Sequence, residues 1–450
     1  MIPILTPEEM AAVDAAATDP VEVLIERAGA AVAAAALDLL GGGYGRRVVV
    51  LAGKGNNGAD GRAAAVRLRR RGVRVAVVDA LDAPDRLPAA DLVIDAAYGT
   101  GFHGEHHAPD VGGAPVLAVD IPSGVSGRTG EVHGRVLPAV RTVTFAALKP
   151  GLLFDPGRSF VGELELADIG LDVGAARAGL VERDDVAAWL PLRPSQSHKW
   201  KAAVLVVAGS PGMTGAAHLA ASAALRAGAG MVRAGAPGLD DDRARPVEAV
   251  GVPLPARGWG DEALVSAERC HAIVVGPGLG AGDATRAGIR VLLTAGLPVV
   301  VDGDGLSALG ADMADALAAR TAATVLTPHD GEYERLAGVR PSADRLDAAR
   351  SLAAATGAVV LLKGSPTVVA DPHGEVRVVA AGDARLATAG TGDVLSGVVG
   401  ALLAQGLPAL EAAAAGAWLH GRAGAHGPAR GLVAGDLPDL LPLALAEVSR

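Results

Sequence analysis

The stretch Ala387-Thr388-Ala389-Gly390-Thr391-Gly392-Asp393-Val394-Leu395-Ser396-Gly397 places a carboxylate where a run of small residues gives way to apolar ones. The apolar run from Val394 to Leu403 predicts a buried helix, so the glycine loop ends at a helix N-terminus. Unpaired N–H groups and the positive end of the helix dipole make such a place an anion site, and Gly390 and Gly392 let a phosphate approach the backbone closely. A carboxylate is a poor phosphate ligand. Asp393 therefore reads either as the base that draws a proton from an attacking hydroxyl or as a helix cap on a Gly-rich turn.

A second constellation lies in the first half of the chain. Strands are expected over 46–52 and 74–79 with a helix over 62–71 between them, and Gly53-Lys54-Gly55-Asn56-Asn57-Gly58-Ala59-Asp60-Gly61 follows the first strand directly. The spacing of Gly53, Gly55 and Gly58 matches the dinucleotide fingerprint, and Asp79 falls near the place of a ribose-binding acid, so a dehydrogenase is one reading. Asn56, Asn57 and Asp60 are superfluous in a pyrophosphate loop, but they would serve a cation or a hydroxylated ligand; they are also ordinary turn formers.

Further strands over 92–95 and 116–120 end in Asp95 and Asp120, at the carboxyl edge where open α/β sheets bind ligands. Asp95 leads into Gly99-Thr100-Gly101-Phe102-His103-Gly104-Glu105 and Asp120 into Ile121-Pro122-Ser123-Gly124. Asn57, Asp95, Asp120 and Ser123 are hard oxygen donors that suit a monovalent or alkaline-earth cation better than zinc. His103, His106 and His107 lack cysteines at ligand spacing and read as a solvated loop.

With these residues in hand, two resemblances can be stated. Gly-Thr-Gly-Asp ahead of an apolar helix resembles the anion hole and catalytic base of the ribokinase-like superfamily, and the full stretch from Ala387 to Gly397 is similar to its ADP/ATP-dependent NAD(P)H-hydrate dehydratase branch. The first half resembles the NAD(P)H-hydrate epimerase domain of the bifunctional repair enzymes: Asn56 to Gly61 stands for Asn-Asn-Gly-Gly-Asp-Gly, Asp120 to Gly124 is intact, and Leu24 to Gly29 looks like the helix that closes over the site.

The resemblance implies that Asn57, Asp95 and Ser123 hold K+. It implies that Asn56, Asn57, Gly58, Ala59 and Asp60, the residues Gly99, Thr100, Gly101, Phe102, His103, Gly104 and Glu105, and Asp120 contact the hydrated nucleotide, with Asp120 as acid/base at C6. Ala59 departs from the family's second glycine, which would strain a loop that needs positive φ there.

In the second half the resemblance covers Leu192 to the C-terminus and implies that Ala216, Gly278 or its neighbour Gly280, His329 and Asp393 face the hydrated nucleotide. Lys363, Gly364, Ser365, Pro366, Thr367 and Gly392 would hold ADP or ATP, with Mg2+ bridging the phosphates. Asp383, Leu386 and Ala389 stand where the family often has Asn, Met and Gly. No Gly-x-x-x-x-Gly-Lys-Ser/Thr motif is present, which disfavours a P-loop enzyme. The implied substrates are NADHX and NADPHX. A ribokinase-like small-molecule kinase with an NAD-binding domain, and a non-catalytic first half, are the competing readings.

These sites need two α/β domains, a Rossmann-like three-layer domain followed by a ribokinase-like one, and 450 residues suffice for both. The boundary is expected near Leu190, giving 1–190 and 191–450, within the charged segment from Val181 to Lys201 that carries Pro191 and Pro194. Hydrophobic residues reach 50%, but no stretch of about eighteen strongly apolar residues runs uninterrupted, so no membrane partner is expected. The net charge of -10 without basic blocks argues against nucleic acid. One cysteine, Cys270, forms no internal disulfide and fits a reducing cytoplasm. The N-terminus shows no export signal and reads as a helix start, with Thr6 as N-cap, Pro7 at N1 and Glu9 closing a capping box. A homo-oligomer is expected.

Overall fold

Short aliphatic runs bounded by glycine and acidic residues become the strands of two parallel sheets. The computed structural model describes residues 1–193, 195–239, 245–280 and 282–449. Contacts divide the chain into one unit over Ile2–Ala178 and a second over Gly179–Arg450.

In the first unit β1 (Arg47–Ala52), β2 (Arg74–Asp79), β3 (Leu92–Ala96), β4 (Val116–Val119), β5 (Arg141–Phe145) and β6 (Glu163–Ala167) lie parallel in the order β2-β1-β3-β4-β5-β6. The chain leaves β1 to one side for β2 and returns to the other for β3. A crevice therefore opens at the carboxyl ends of β1 and β3. Helices α1 (Pro7–Ala15), α2 (Val21–Leu40) and α3 (Asn56–Arg70) belong to this unit. Val48, Val50, Ile94, Leu117 and Val143 pack against Ala28, Val32, Ala36, Ala64 and Leu68 on one face. The opposite face, with Val49, Leu51 and Val93, is covered by connecting segments at Leu87, Ala108 and Leu137.

The expected cap of α1 is present: Glu9 N donates to Thr6 Oγ1 while Thr6 N donates to the Glu9 carboxylate. Helix α3 starts at Asn56, six residues before the expected Arg62, because Gly55 supplies an extended N-cap and the two asparagines form the first turn. A Cβ on Gly58 would lie 1.9 Å from Gly53 O, so only glycine lets the helix start this close to the strand. Ala59 is helical and outside the positive-φ residues, so the loop strain anticipated for it does not arise.

In the second unit, α4 (Arg183–Trp189) precedes β7 (Ala203–Val207), β8 (Met231–Gly235), β9 (Val250–Gly251), β10 (Ala272–Val275), β11 (Val299–Val301), β12 (Thr324–Leu326) and β13 (Val359–Leu362), a parallel set in the order β13-β12-β11-β10-β7-β8-β9. β14 (Thr367–Ala370) and β15 (Val376–Val379) extend the β13 edge antiparallel. Val186 of α4 is fully buried in this unit's core, with Trp189 and Leu190 against it, which explains why contacts divide the chain ahead of Leu190. Pro194 of the expected linker lies outside the described residues.

Helices α5 (Thr214–Arg226), α6 (Asp330–Ala337), α7 (Thr391–Ala404) and α8 (Ala409–His426) carry or flank the second site. α7 is the buried helix expected after the glycine loop. It presses on its neighbours through glycine, since a Cβ at Gly397 would lie 2.1 Å from Ala220 O and one at Gly400 would lie 2.2 Å from Val274 Cγ2.

Candidate active sites

The crevice of the first unit is a cavity of about 1010 Å³ at the carboxyl ends of β1, β3 and β4. Asn56, Asn57, Asp60, Gly99, Thr100, Gly101, Phe102, His103 and Asp120 all line it. Gly58, Ala59, Gly104 and Glu105 are not among its lining residues; Gly58 serves instead the close packing of α3 on β1.

Asp120 holds a left-handed backbone at φ 66°, which costs a non-glycine residue energy and marks a constrained site. Lys149, unforeseen in the sequence, donates from Nζ to Asp120 Oδ1 at 2.5 Å, to Thr144 Oγ1 at 2.9 Å and to Phe145 O at 3.1 Å. The Thr144 hydroxyl in turn donates to Asp120 Oδ1 at 3.2 Å. The Lys149 side chain is 2% exposed, so the pair is buried on the lysine side.

Asp60 and Asp14 face the same cavity. Burial, reinforced by the charges of Asp120 and Asp14, pushes the Asp60 carboxyl up to about 8. Burial also raises Asp14, against the pull of Lys149.

Behind the cavity wall, Asp95 accepts from Ser123 Oγ at 2.7 Å, Ser123 N at 3.0 Å and Ala97 N at 3.3 Å, and Ser123 Oγ accepts from Tyr98 N at 2.9 Å. The Asn57 amide is buried with neither its Oδ1 nor its Nδ2 partnered. A Cβ on Gly99 would lie 3.6 Å from Asn57 Cγ and 3.5 Å from Asp120 Oδ2, so the loops of β1, β3 and β4 do meet here. An orphaned buried amide oxygen is the kind of neutral hard donor that a monovalent cation such as K+ takes. The histidines divide: His103 lines the cavity and His107 is exposed, but His106 is buried edge-on against Tyr98 and Phe102, not solvated as expected, because the aromatic pair gives its ring an apolar seat. Among the described residues no three His, Cys, Asp or Glu side chains group as metal ligands.

In the second unit the glycine loop does end at a helix. Gly390, at φ 91°, is the N-cap of α7, and Asp393 sits in the helix's first turn. Burial raises the Asp393 carboxyl to about 7, with Asp302, Asp304 and Glu332 adding to the rise and Lys363 opposing it.

An ion-pair network lies beside it. Asp302, at the end of β11, accepts from Lys363 Nζ at 2.9 Å, Thr327 Oγ1 at 2.7 Å and Ser396 Oγ at 2.6 Å. Burial alone would raise Asp302, but the Lys363 charge and the hydroxyls outweigh it and hold the carboxyl below its usual range. Lys363 also pairs with Glu332 at 3.4 Å, and a Cβ on Gly392 would lie 3.5 Å from Nζ, so the ammonium stands under the anion loop.

The remaining expected residues are brought to the same carboxyl edge. His329 caps α6, its Nδ1 accepting from Gly331 N and Glu332 N at 3.0 and 3.2 Å. The loops after β7 and β10 close on each other: Ser210 Oγ donates to Gly278 O at 2.8 Å, and a Cβ on Gly278 would lie 2.8 Å from Ala216 Cβ. Gly364, Ser365, Pro366 and Thr367 form the connection from β13 to β14, where Thr367 Oγ1 donates to Gly364 O at 3.1 Å. Asp383 grips Arg385 through both carboxylate oxygens, which holds it down to about 2.

Lys149, Asp302 and Glu332 were not singled out as site residues from the sequence. Asp302 carries the signal that marked Asp95 and Asp120, an acid closing an apolar strand.

A parallel α/β sheet whose glycine loop ends at a helix N-terminus, with a half-buried carboxyl in that helix's first turn, gives the second unit a ribokinase-like fold. In fold it is similar to a ribokinase-like superfamily protein of Enterococcus faecalis, at 23% identity and a TM-score of 0.53 over 61% of this chain and 97% of that one. The family model described as NAD(P)H-hydrate dehydratase matches residues 204–445, and that of the YjeF-related protein N-terminus matches 21–88 and 78–151. The chain is 44% identical to the bifunctional NAD(P)H-hydrate repair enzyme Nnr of Mycobacterium tuberculosis, over 83% of this chain and 82% of that protein. With the Escherichia coli enzyme of the same name it shares 33% identity over 87% and 84% of the two chains. The chain belongs to the family of bifunctional NAD(P)H-hydrate repair enzymes. The second unit is also similar to the ADP/ATP-dependent NAD(P)H-hydrate dehydratase of Bacillus subtilis co-crystallised with ATP/Mg2+, at 29% identity and a TM-score of 0.50, over 60% of this chain and 98% of that one.

Proposed function

We propose that the chain repairs hydrated nicotinamide nucleotides in two steps. The first domain, Ile2–Ala178, interconverts R- and S-NADHX or NADPHX, and the second, from Gly179 on, dehydrates the S form at the expense of ADP or ATP. The observation that carries this reading is the placement of Asp393, a half-buried carboxyl raised to about 7, in the first turn of α7 directly after the glycine loop.

In the second domain Asp393 takes the proton of the C6 hydroxyl as that oxygen attacks the terminal phosphoryl group. The N–H groups of the Gly390 to Gly392 turn meet the transferring charge, and Lys363 beneath them adds a fixed positive one. Hydroxide is a poor leaving group and phosphate a good one, so phosphorylation makes elimination to the dihydropyridine easy. Ala216, Gly278 and His329 face the hydrated nucleotide in this reading, and Gly364 to Thr367 with Gly392 hold the donor. With no three-ligand acidic cluster among the described residues, Mg2+ would be held chiefly by the nucleotide phosphates, where it neutralises charge. In the first domain Asn57, Asp95 and Ser123 would hold K+, which fixes the loops around the substrate, and Asp120 is the acid/base.

A homo-oligomeric cytoplasmic enzyme without nucleic-acid or membrane partners completes the reading. The net charge of -10 without basic blocks argues against a nucleic-acid partner, and among the described residues no helix is long and apolar enough to cross a membrane.

The test is chromatography of R- and S-NADHX incubated with the purified chain, with and without ADP or ATP. Both forms should disappear into NADH only with a donor, and the R form should equilibrate with S in its absence. A stable phosphate ester as final product would replace the dehydratase reading with that of a kinase.

A further inference from the structure

The cavity of the first unit contains a second carboxyl that the reading above uses only as a substrate contact. Asp60 is 8% exposed, lines the cavity, and makes no hydrogen bond or ion pair with any described residue. Asp120 differs in its partners: it accepts from Lys149 Nζ and from the Thr144 hydroxyl, in a three-membered cluster. Two carboxyls in one cavity, one partnered by a buried ammonium and one without a partner among the described residues, form the arrangement by which a site keeps a base and an acid side by side.

We propose that Asp60 is the proton donor of epimerisation, acting in the same cavity as the Asp120 carboxylate, with Lys149 as the positioning residue that holds Asp120 in place. This rests on the epimerase reading and specifies its chemistry. The C6–N1 bond of the hydrated ring breaks, and its electron pair stays on N1, which takes the proton of Asp60. The C6 hydroxyl gives its proton to Asp120 and becomes an aldehyde. Rotation about the C5–C6 bond presents the other face, and closure reverses both transfers, returning a proton to Asp60 and leaving Asp120 a carboxylate. No oxidant, reductant or further reactant is consumed.

The groups facing Asp60 agree with this. Asp14 approaches from α1 and Asp120 from the end of β4, and both charges act with burial to keep the Asp60 proton bound up to about pH 8. Lys54, His103 and Lys149 also line the cavity, and Lys149 is already engaged by Asp120.

The experiment follows R-NADHX epimerisation by the full-length chain and by Asp60→Asn between about pH 6 and 10, with the spontaneous rate subtracted. Wild-type kcat/KM should fall about tenfold per pH unit above about 8, as the donor loses its proton. Asp60→Asn should lose about 10²–10⁴-fold in kcat with little change in KM and should lack that alkaline limb. Its Tm above pH 8 should rise, because the variant removes a carboxylate that burial disfavours, whereas a merely structural Asp60 would give a lower Tm. A variant that epimerises at the wild-type rate, or that retains the limb, overturns the assignment and leaves the epimerase reading standing. If the variant does not fold, the wild-type profile decides: without an alkaline limb the assignment fails. A wild-type chain that leaves the R form untouched at every pH overturns both.

Discussion

Lys363 Nζ stands 2.9 Å from Asp302 Oδ1 and 3.4 Å from Glu332 Oε2, so one ammonium from the end of β13 ties the end of β11 to the first turn of α6. Asp302 is 2% exposed, and removing it leaves a buried ammonium half-compensated. Asp302→Ala should therefore cost about 3–5 kcal/mol of stability, read as a lower denaturant midpoint of the second unit. Since Asp302 is held below its usual range, its contribution is present above about pH 4 and is lost as pH falls further through the lowered value. A variant as stable as wild type at neutral pH would show that the network contributes nothing.

Asp393→Asn keeps the shape of the side chain and removes the base. Dehydration of S-NADHX should fall by about 10²–10⁴-fold with epimerisation intact. In the wild type, kcat/KM for dehydration should rise with pH and level off above about 7, where Asp393 is ionised. The same raised value means that the native state holds a proton the unfolded chain has released, so Asp393 subtracts stability as pH climbs from about 4 toward 7. Asp393→Asn should melt higher at pH 8, and a lower Tm there would contradict the desolvation argument.

The orphaned Asn57 amide predicts a selective ion effect. Tm of the chain should rise in KCl relative to LiCl at equal ionic strength, and Asn57→Leu should abolish the difference. EDTA should leave epimerisation unchanged. A strict zinc requirement for epimerisation would remove the K+ assignment.

Asp120→Ala tests the coupling of the two activities. Given a mixture of both epimers and a nucleotide donor, the intact chain should clear R and S together, at a rate for R that scales with enzyme. The variant should clear S and leave R to decline at the spontaneous rate. Equal clearance of R by both would free Asp120 from its role and leave Lys149 without a chemical purpose.

Much of this was legible because strand ends advertise themselves. Asp95, Asp120 and Asp393 each follow or precede an apolar run whose type the local sequence decides, and all three lie at the ends of elements, the first two at carboxyl ends of strands and the third in the first turn of α7. Strands β6, β9 and β15 were not anticipated. Glu-Leu-Glu-Leu-Ala of β6 and Val-Arg-Val-Val of β15 are short and partly polar, and only pairing with β5 and β14 makes them strands. The start of α3 was missed for a related reason: Asn and Gly signal a turn locally, and only the contact of Gly58 with the end of β1 shows that the turn is already helix. Lys149 was invisible because its partner is twenty-nine positions away and nothing in Ala-Leu-Lys-Pro announces a buried ammonium.

The glycines of α7 have one more effect. Where Gly397 meets Ala220 O and Gly400 meets Val274 Cγ2, the helix side of each contact is a bare Cα, with no rotamer there to take up slack. The helix is thus registered like a machined part against its seat, and its glycine loop inherits that tolerance. Any movement that admits a nucleotide has to be made by the loops around the N-terminus of α7, with the helix itself as the fixed jaw of the vice.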